Sequence, residues 1–308
     1  MTKRIVIPGG SGFLGRALAP RLAARGDEVV VLTRGRPVRR DGVRHVHWDA
    51  ATLGEWVDVI NGADAVVHLT GKNVDCRPTR SNIAELVRSR TEPVRLVGEA
   101  VRGVTAPPRV WVQSSTLAIY GDGGDDVITE STPVLGIGPQ QMVQVALAWE
   151  TAYAEATAGI DRAVLLRMGV AIGGGDPATR RLATLARLGL GGPVAGGQQW
   201  LSWIELDDLV SGVMRALDDP GMEGCYHLTS PAPVRNQDAM AAFRTVLRRS
   251  VGLPSPAWLT RIGAPLLGSD PELALTGRRA HPRRLLEEGF EFHCADFGVA
   301  VKQSLARR

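Results

Sequence analysis

The stretch that most constrains this chain is Ile5-Val6-Ile7-Pro8-Gly9-Gly10-Ser11-Gly12-Phe13-Leu14-Gly15. A short apolar run meets a glycine-rich turn. A helical pattern follows from Arg16 to Arg25, with Leu14, Leu18 and Leu22 on one face, and then a second apolar run from Glu28 to Leu32. Strand, turn, helix and strand within about 30 residues is the size of one nucleotide-binding unit. Each glycine answers a steric demand. One allows the tight turn, one lets a pyrophosphate approach bare backbone, and one lets the helix pack close on the strand. The helix N-terminus then offers free N–H groups and a partial positive charge to the phosphates. The stretch predicts a nucleotide site lined by Gly9, Ser11, Gly12, Phe13, Leu14 and Gly15.

The alternation continues downstream. Arg44 to Trp48 reads as a third strand ending at Asp49, Leu53 to Ile60 as a helix, and Ala65 to Leu69 as a strand buried on both faces. Asn82 to Val101 reads as a long helix interrupted by Pro93. Arg109 to Gln113 is a strand running into Ser114-Ser115, Gln140 to Ala158 is helical, and Ala163 to Arg167 is another strand. This pattern predicts an α/β fold with a doubly wound parallel sheet. Beyond it, Gly173-Gly174-Gly175, Gly191-Gly192-Pro193 and Gly196-Gly197 surround a helix from Ala178 to Leu188. Ser202 to Leu206 and Cys225 to Leu228 read as strands with a helix, Asp207 to Leu217, between them; the tail from Pro231 is helix-rich. The expected division is a nucleotide domain over 1–170 and 204–230. A smaller, mostly helical substrate-side domain takes 171–203 and 231–308. The substrate site is expected between them, at the carboxyl ends of the strands.

Composition narrows the partners. The net charge of +4, from 36 basic and 32 acidic residues, is too slight to imply nucleic acid, and 5% aromatics gives no platform for stacking bases. The odd trio Cys76, Cys225 and Cys294, without a Cys-x-x-Cys, predicts free thiols in a reducing compartment. The first residues hold no signal-peptide core and no apolar run reaches transmembrane length, so a cytoplasmic chain without a membrane partner is expected. His45 and His47 share a strand face without a third ligand nearby, which argues against a metal. Oligomeric state, monomer or homodimer, is open.

The end of the second strand selects the nucleotide. It runs Val30-Val31-Leu32-Thr33-Arg34, and Arg34 lies 19 residues beyond Gly15, where an acidic residue would bind the ribose 2′-OH of NAD. No acid occupies Leu32, Thr33 or Arg34. A guanidinium there pairs with a 2′-phosphate and Thr33 adds a hydroxyl, so NADP(H) is the expected cofactor.

These residues resemble a known family. Gly9-x-x-Gly12-x-x-Gly15, Leu69-Thr70-Gly71, Ser114-Ser115 with Tyr120-Gly121, and Thr129-Glu130 are similar to extended short-chain dehydrogenases/reductases. More narrowly, the chain resembles the branch of epimerase family proteins. That likeness is carried by Ile83-x-x-Leu86-x-x-Ser89-Arg90, by Trp149-Glu150 and by Leu166-Arg167-x-Gly169-Val170. It continues through Gly191-Gly192-Pro193, Gln199-Trp200-x-Ser202-Trp203-Ile204 and Asp207-Asp208-Leu209. It ends in Pro282-x-Arg284-Leu285-Leu286-x-x-Gly289-Phe290-x-Phe292, within that branch's C-terminal domain of unknown function. The resemblance implies a Rossmann sheet and further cofactor contacts. Asp49 would accept from the adenine amino group, Leu69, Thr70 and Gly71 would line the nucleotide, Glu85 and Arg90 would face it from the long helix, and Arg167 to Val170 would pass the nicotinamide side.

The same resemblance implies a Ser, Tyr and Lys catalytic set. Tyr serves as general acid or base, and Lys lowers its pKa. Ser115 fits the Ser position, but the Tyr position falls on Met142 and the Lys position on Ala146. Relatives of the branch often carry Cys at the latter position and His where Glu205 stands. The remaining proton sources are Tyr120, Glu130, Glu205, water or the substrate itself. The expected function is an NADP-dependent oxidoreductase or epimerase-like enzyme acting on a small molecule through Ser115 and Tyr120. The alternative is a non-catalytic NADP-binding regulatory or scaffold protein. Trp200 and Trp203, flanking Ser202, are read as sharing one face of an extended segment, as pocket wall or as core.

Overall fold

The first strands are apolar on both sides, and that decides the architecture. Of the run near the N-terminus, Ile5 and Ile7 enter one core cluster, while Trp48, Trp56 and Val6 belong to another. Val29 and Val31 likewise join the first cluster, Val30 and Leu32 the second. Such strands need helices over both faces. The computed structural model describes residues 2–306. The first half runs β1 (Arg4–Pro8), α1 (Phe13–Ala24), β2 (Glu28–Thr33), β3 (Arg39–Arg40), β4 (Val43–His47), β5 (Ala65–His68), α2 (Arg80–Gly103), β6 (Val110–Thr116), β7 (Val127–Ile128), α3 (Val143–Ala156) and β8 (Arg162–Met168). The second half runs β9 (Val170–Ile172), α4 (Pro177–Arg187), β10 (Trp200–Leu201), β11 (Trp203–Glu205), α5 (Leu206–Asp218), β12 (Gly224–Leu228), β13 (Val234–Arg235), α6 (Asn236–Val246), α7 (Ala257–Leu266), α8 (Glu272–Leu275), β14 (Arg279–Ala280), α9 (Arg283–Glu287) and α10 (Phe297–Ala306).

The main sheet has eight strands in the order β12-β8-β6-β5-β1-β2-β4-β3, parallel throughout except for the β3–β4 pair. α1 and α5 cover one face with Leu18, Leu22, Leu209 and Val213. α2 and α3 cover the other with Val94, Val97, Trp149 and Ala152. The chain leaves β1 for β2 and β4, then returns to place β5 on the opposite side of β1. That reversal opens a crevice at the carboxyl end of β1, where a doubly wound sheet holds its ligand.

Two expected elements differ. Pro93 does not interrupt α2, which runs unbroken from Arg80 to Gly103. Full burial of Val94 and Val97 contributes about 1.5–3 kcal/mol each, enough to offset the roughly 3 kcal/mol of an interior proline. Leu53 to Ile60 is not an α-helix but a single 3-10 turn, Glu55–Val59, that tucks Trp56 and Val59 into the core.

A third cluster, with Ile172, Trp203, Phe243, Phe297 and Val301, forms a separate core away from the main sheet's two clusters. The tail is shared between the two cores. Leu285 and Phe290 join the cluster of the main sheet, against β12, so a boundary that gives all of 231–308 to the small domain does not hold for α9. The tail also adds β14 beside β7, a parallel pair between Arg279–Ala280 and Val127–Ile128.

Candidate functional site

The crevice is built from glycine outward. Gly9 has φ +80, and a Cβ there would stand 2.7 Å from the backbone of Leu69 and of Thr70. Leu69 N donates to Pro8 O (2.9 Å), so the end of β5 is pinned against the turn. A Cβ on Gly15 would come within 2.2 Å of Gly10 O. Gly15→Ala is therefore expected to cost about 3 kcal/mol, the upper end of overpacking penalties. Gly103→Ala, at a glycine with nothing within 4 Å, should be near neutral; urea unfolding of both variants checks the contrast.

Gly12 opens α1 in extended conformation, with no side-chain cap and no acid in the first turn. The first amides of the helix, at Phe13 and Leu14, are left for a ligand. Thr33 Oγ1 meets Ser11 Oγ (3.4 Å) and accepts from Gly35 N (3.1 Å). Arg34 follows, exposed and without an ion pair among the described residues. The fold thus brings Gly9, Ser11, Gly12, Phe13, Leu14, Gly15, Thr33, Arg34, Leu69 and Thr70 to one edge of the sheet.

Three expected contacts are placed differently. Arg90 is buried, and its guanidinium donates to Leu86 O (3.1 Å) and Lys72 O (2.9 Å) while lying 5.0 Å over the Trp149 ring. Burial pulls its pKa down to about 10. Gly71 packs closely on this guanidinium, a Cβ there standing 3.2 Å from Arg90 Cζ. Arg90 is a prop under the loop that follows β5. Glu85 does not join it: five residues on a helix are about 140° apart, and Glu85 pairs with Arg88 on the outer side. Asp49 is a loop cap. Its Oδ1 accepts from Ala51 N and Thr52 N (2.9 Å each) and its Oδ2 from Thr52 Oγ1 (2.6 Å). The Thr52 hydroxyl and these amides lower its pKa to about 2, and an adenine amino group would have to share an oxygen already bonded.

Past β6 lies a largely buried polar chain, with Ser115 and His227 buried and Tyr120, Glu150 and Arg167 half-buried, that the sequence pattern reveals only in part. Ser115 Oγ donates to Glu150 Oε1 (2.6 Å). Arg167 grips the same carboxylate with two nitrogens, at 3.0 and 2.7 Å. A third Arg167 nitrogen donates to the Tyr120 hydroxyl (2.6 Å), which lies 2.8 Å from His227 Nε2. His227 Nδ1 faces His281 O (3.2 Å), an atom that only accepts. Nδ1 therefore carries the ring proton, and Nε2 accepts a hydrogen bond from the Tyr120 hydroxyl, which also lies 3.4 Å from Thr129 O. Burial, with the Arg167 charge, holds the His227 pKa down at about 3. Burial raises the Tyr120 pKa to about 12 despite Arg167.

Both expected catalytic hydroxyls are consequently committed. A tyrosine base needs a pKa near the working pH, and Tyr120 is moved the other way. Ser115 is buried and spends its only proton on Glu150. Glu205 caps α5 through Asp207 N and Asp208 N. Glu130 Oε1 accepts from His227 N (3.0 Å), and its buried Oε2 has no partner among the described residues, which leaves it a spare acceptor. Met142 and Ala146, in place of Tyr and Lys, are buried core residues. Glu150 and His227 went unassigned in the sequence reading. The signal for Glu150 is an acid beside buried Trp149 in a mostly apolar helix, matched by Arg167 directly after the apolar run Ala163 to Leu166.

Val170 begins β9 and pairs with Trp203 of β11. Trp200 and Trp203 do not share a face, because a spacing of three on an extended chain puts them on opposite sides. Trp203 is fully buried, edge-on to Phe297 at 5.1 Å. Trp200 lies between the guanidinium groups of Arg235 (4.0 Å) and Arg279 (4.8 Å) and donates to Asp125 (2.9 Å).

Comparison with known proteins agrees with this frame. A model of the NAD dependent epimerase/dehydratase family matches residues 5–226, and one of a domain of unknown function (DUF1731) matches residues 255–304. An epimerase family protein of Mycobacterium bovis is 31% identical over 307 residues, 98% of each chain. A chloroplastic SDR39U1 homolog of Arabidopsis thaliana is 30% identical over 293 residues, 94% of this chain and 82% of its own. The crystal structure of human epimerase family protein SDR39U1 (isoform 2) with NADPH superposes with a TM-score of 0.84. Its identity is 28%, covering 99% of this chain and all of that one.

Proposed function

The chain belongs to the NAD-dependent epimerase/dehydratase family, and from that premise we propose that it is an NADP(H)-dependent oxidoreductase or epimerase-like enzyme acting on a small molecule. One observation carries the cofactor assignment. The uncapped N-terminus of α1 and the unpaired Arg34 sit on either side of the Ser11–Thr33 contact, so an anion site and a second cationic site share one edge. The steric cradle at Gly9 and Gly15 fits a pyrophosphate against bare backbone. NADPH in the human relative supports the same choice. When bound, NADP(H) supplies or accepts hydride. This chain's own residues orient it: Arg34 and Thr33 hold the 2′-phosphate, and Arg90 supports the loop beneath it.

The proton takes another route than in the usual Ser, Tyr and Lys set. Tyr120 and Ser115 are tied into the Glu150–Arg167 chain and hold the carboxyl ends of β6, β8 and β12 together. Water or the substrate itself is the proton source we favour; of the candidate side chains, Glu130 has a buried Oε2 without a partner among the described residues. A second reading, a nucleotide-binding regulator without turnover, is favoured by apolar Met142 and Ala146. Incubating the chain with NADPH and a small-molecule cell extract distinguishes them. Extract-dependent loss of reduced-nicotinamide absorbance supports the enzyme; retained binding without turnover across extracts supports the regulator. We also place the protein in a reducing compartment, which the free thiols Cys76, Cys225 and Cys294 support.

A further inference from the structure

α7 meets the rest of the chain at its C-terminal end, where Arg77 Nε of the loop after β5 donates to Pro265 O (2.6 Å). α7 buries none of its side chains. Trp258, Leu259, Ile262 and Leu266 all face solvent, Leu266 at 73% exposure. At about 100° per residue these positions fall within one arc of about 100°, a single outward stripe. A second exposed apolar pair lies just after α4. Leu253 N donates to Gly189 O (2.8 Å), which sets exposed Leu190 beside exposed Leu253. Contiguous apolar surface of this kind marks an interaction site.

Charge decides the occupant. Neither 177–192 nor 239–268 contains an aspartate or a glutamate. The same segments expose Arg180, Arg187, Arg248, Arg249 and Arg261, without an ion pair among the described residues. A second copy docked isologously would set these arginines against one another with no acid to meet them. An outward apolar stripe with a tryptophan and a basic rim suits the interface of an anionic bilayer. We propose that this face of the small domain docks on an anionic lipid surface. α7 lies in the plane of the interface, with Trp258, Ile262 and Leu266 at the acyl boundary and the arginines on headgroup phosphates. The docking is peripheral: no helix among the described residues is long and apolar enough to cross a membrane. It departs from the expectation of no membrane partner, which weighed only spanning and targeting segments.

Flotation of the full chain with phosphatidylcholine vesicles, with and without phosphatidylglycerol, tests this. The anionic vesicles should carry roughly tenfold more protein, less as salt rises. Ile262→Asp with Leu266→Asp should remove that gain, and so should Arg248→Glu with Arg249→Glu. Arg39→Glu with Arg40→Glu makes the same charge change on exposed β3 and should leave it intact. All variants should keep the melting profile of the parent, since every altered side chain is exposed. Three results overturn the proposal. One is no flotation with anionic vesicles. Another is flotation that Ile262→Asp spares and the β3 variant abolishes, which is adsorption by net charge. The third is a concentration-dependent dimer that Ile262→Asp dissolves, which assigns the face to a second copy.

Discussion

Arg167→Met is expected to destabilise the fold by about 3–5 kcal/mol, because it strands a buried carboxylate. The Glu150 and Arg167 side chains are only 14% and 11% exposed, and among the described residues Glu150 has Ser115 as its one other partner. The hydroxyl alone cannot compensate a charge taken out of water. Burial opposes the Arg167 charge, yet the bonds and charges around it, Glu150 foremost, hold its pKa above the ordinary arginine value. The cost belongs to the broken pair rather than to the pair's net worth. Glu150→Gln combined with Arg167→Met should therefore be less destabilised than the two single variants added together. Urea denaturation of the singles and the double measures this. Strict additivity would show that the two side chains act independently and would remove the buried chain from the account.

Acid is expected to weaken the fold well before the carboxylates titrate. His68 is fully buried, stacked on Trp111 at 5.8 Å, and burial lowers its pKa to about 3. His227 is held at about 3 as well. Unfolded, both take up a proton near the ordinary value of 6.5. Between those values the unfolded state binds more protons, so stability is complete above about pH 6.5 and falls as pH drops toward 3. At pH 5 the loss is about 2 kcal/mol per histidine, about 4 kcal/mol together. Asp49, whose pKa is lowered by Thr52 and its neighbours, adds to the loss only in the carboxylate range. Burial raises Asp176 and Asp270, which act in the opposite direction as pH falls toward that range. Unfolding midpoints at about pH 7.5 and 5 should differ accordingly. An unchanged midpoint would mean that the histidines are not buried neutral.

The sheet was legible because its strands are apolar on both faces, a pattern seen at Ile5-Val6-Ile7 and at Val29 to Leu32. The glycine turn was legible because its steric demands leave few alternatives. The two-residue strands β3, β7, β10, β13 and β14 were not, since pairs such as Arg279–Ala280 have no periodicity and are fixed by their partners. Pro93 misled because local propensity was weighed without the burial of Val94 and Val97. The site was legible where backbone geometry defines it and obscure where side chains meet across long separations. Ser115, Tyr120 and Arg167 were each singled out, yet Glu150, which joins Ser115 to Arg167, and His227, which receives the Tyr120 hydroxyl, went unassigned. Asp49 and Glu205 show the converse: each carboxylate looks chemical in sequence and serves as a cap.

Parallel titrations with NADPH and NADH test most directly whether Arg34 completes an NADP(H) site. NADPH should bind more tightly than NADH. Arg34→Ala should weaken NADPH by about 1.5–3 kcal/mol, the worth of a charge-assisted hydrogen bond, and leave NADH nearly unchanged. Equal affinity for both nucleotides, a preference for NADH, or an Arg34→Ala variant that keeps the preference would contradict it.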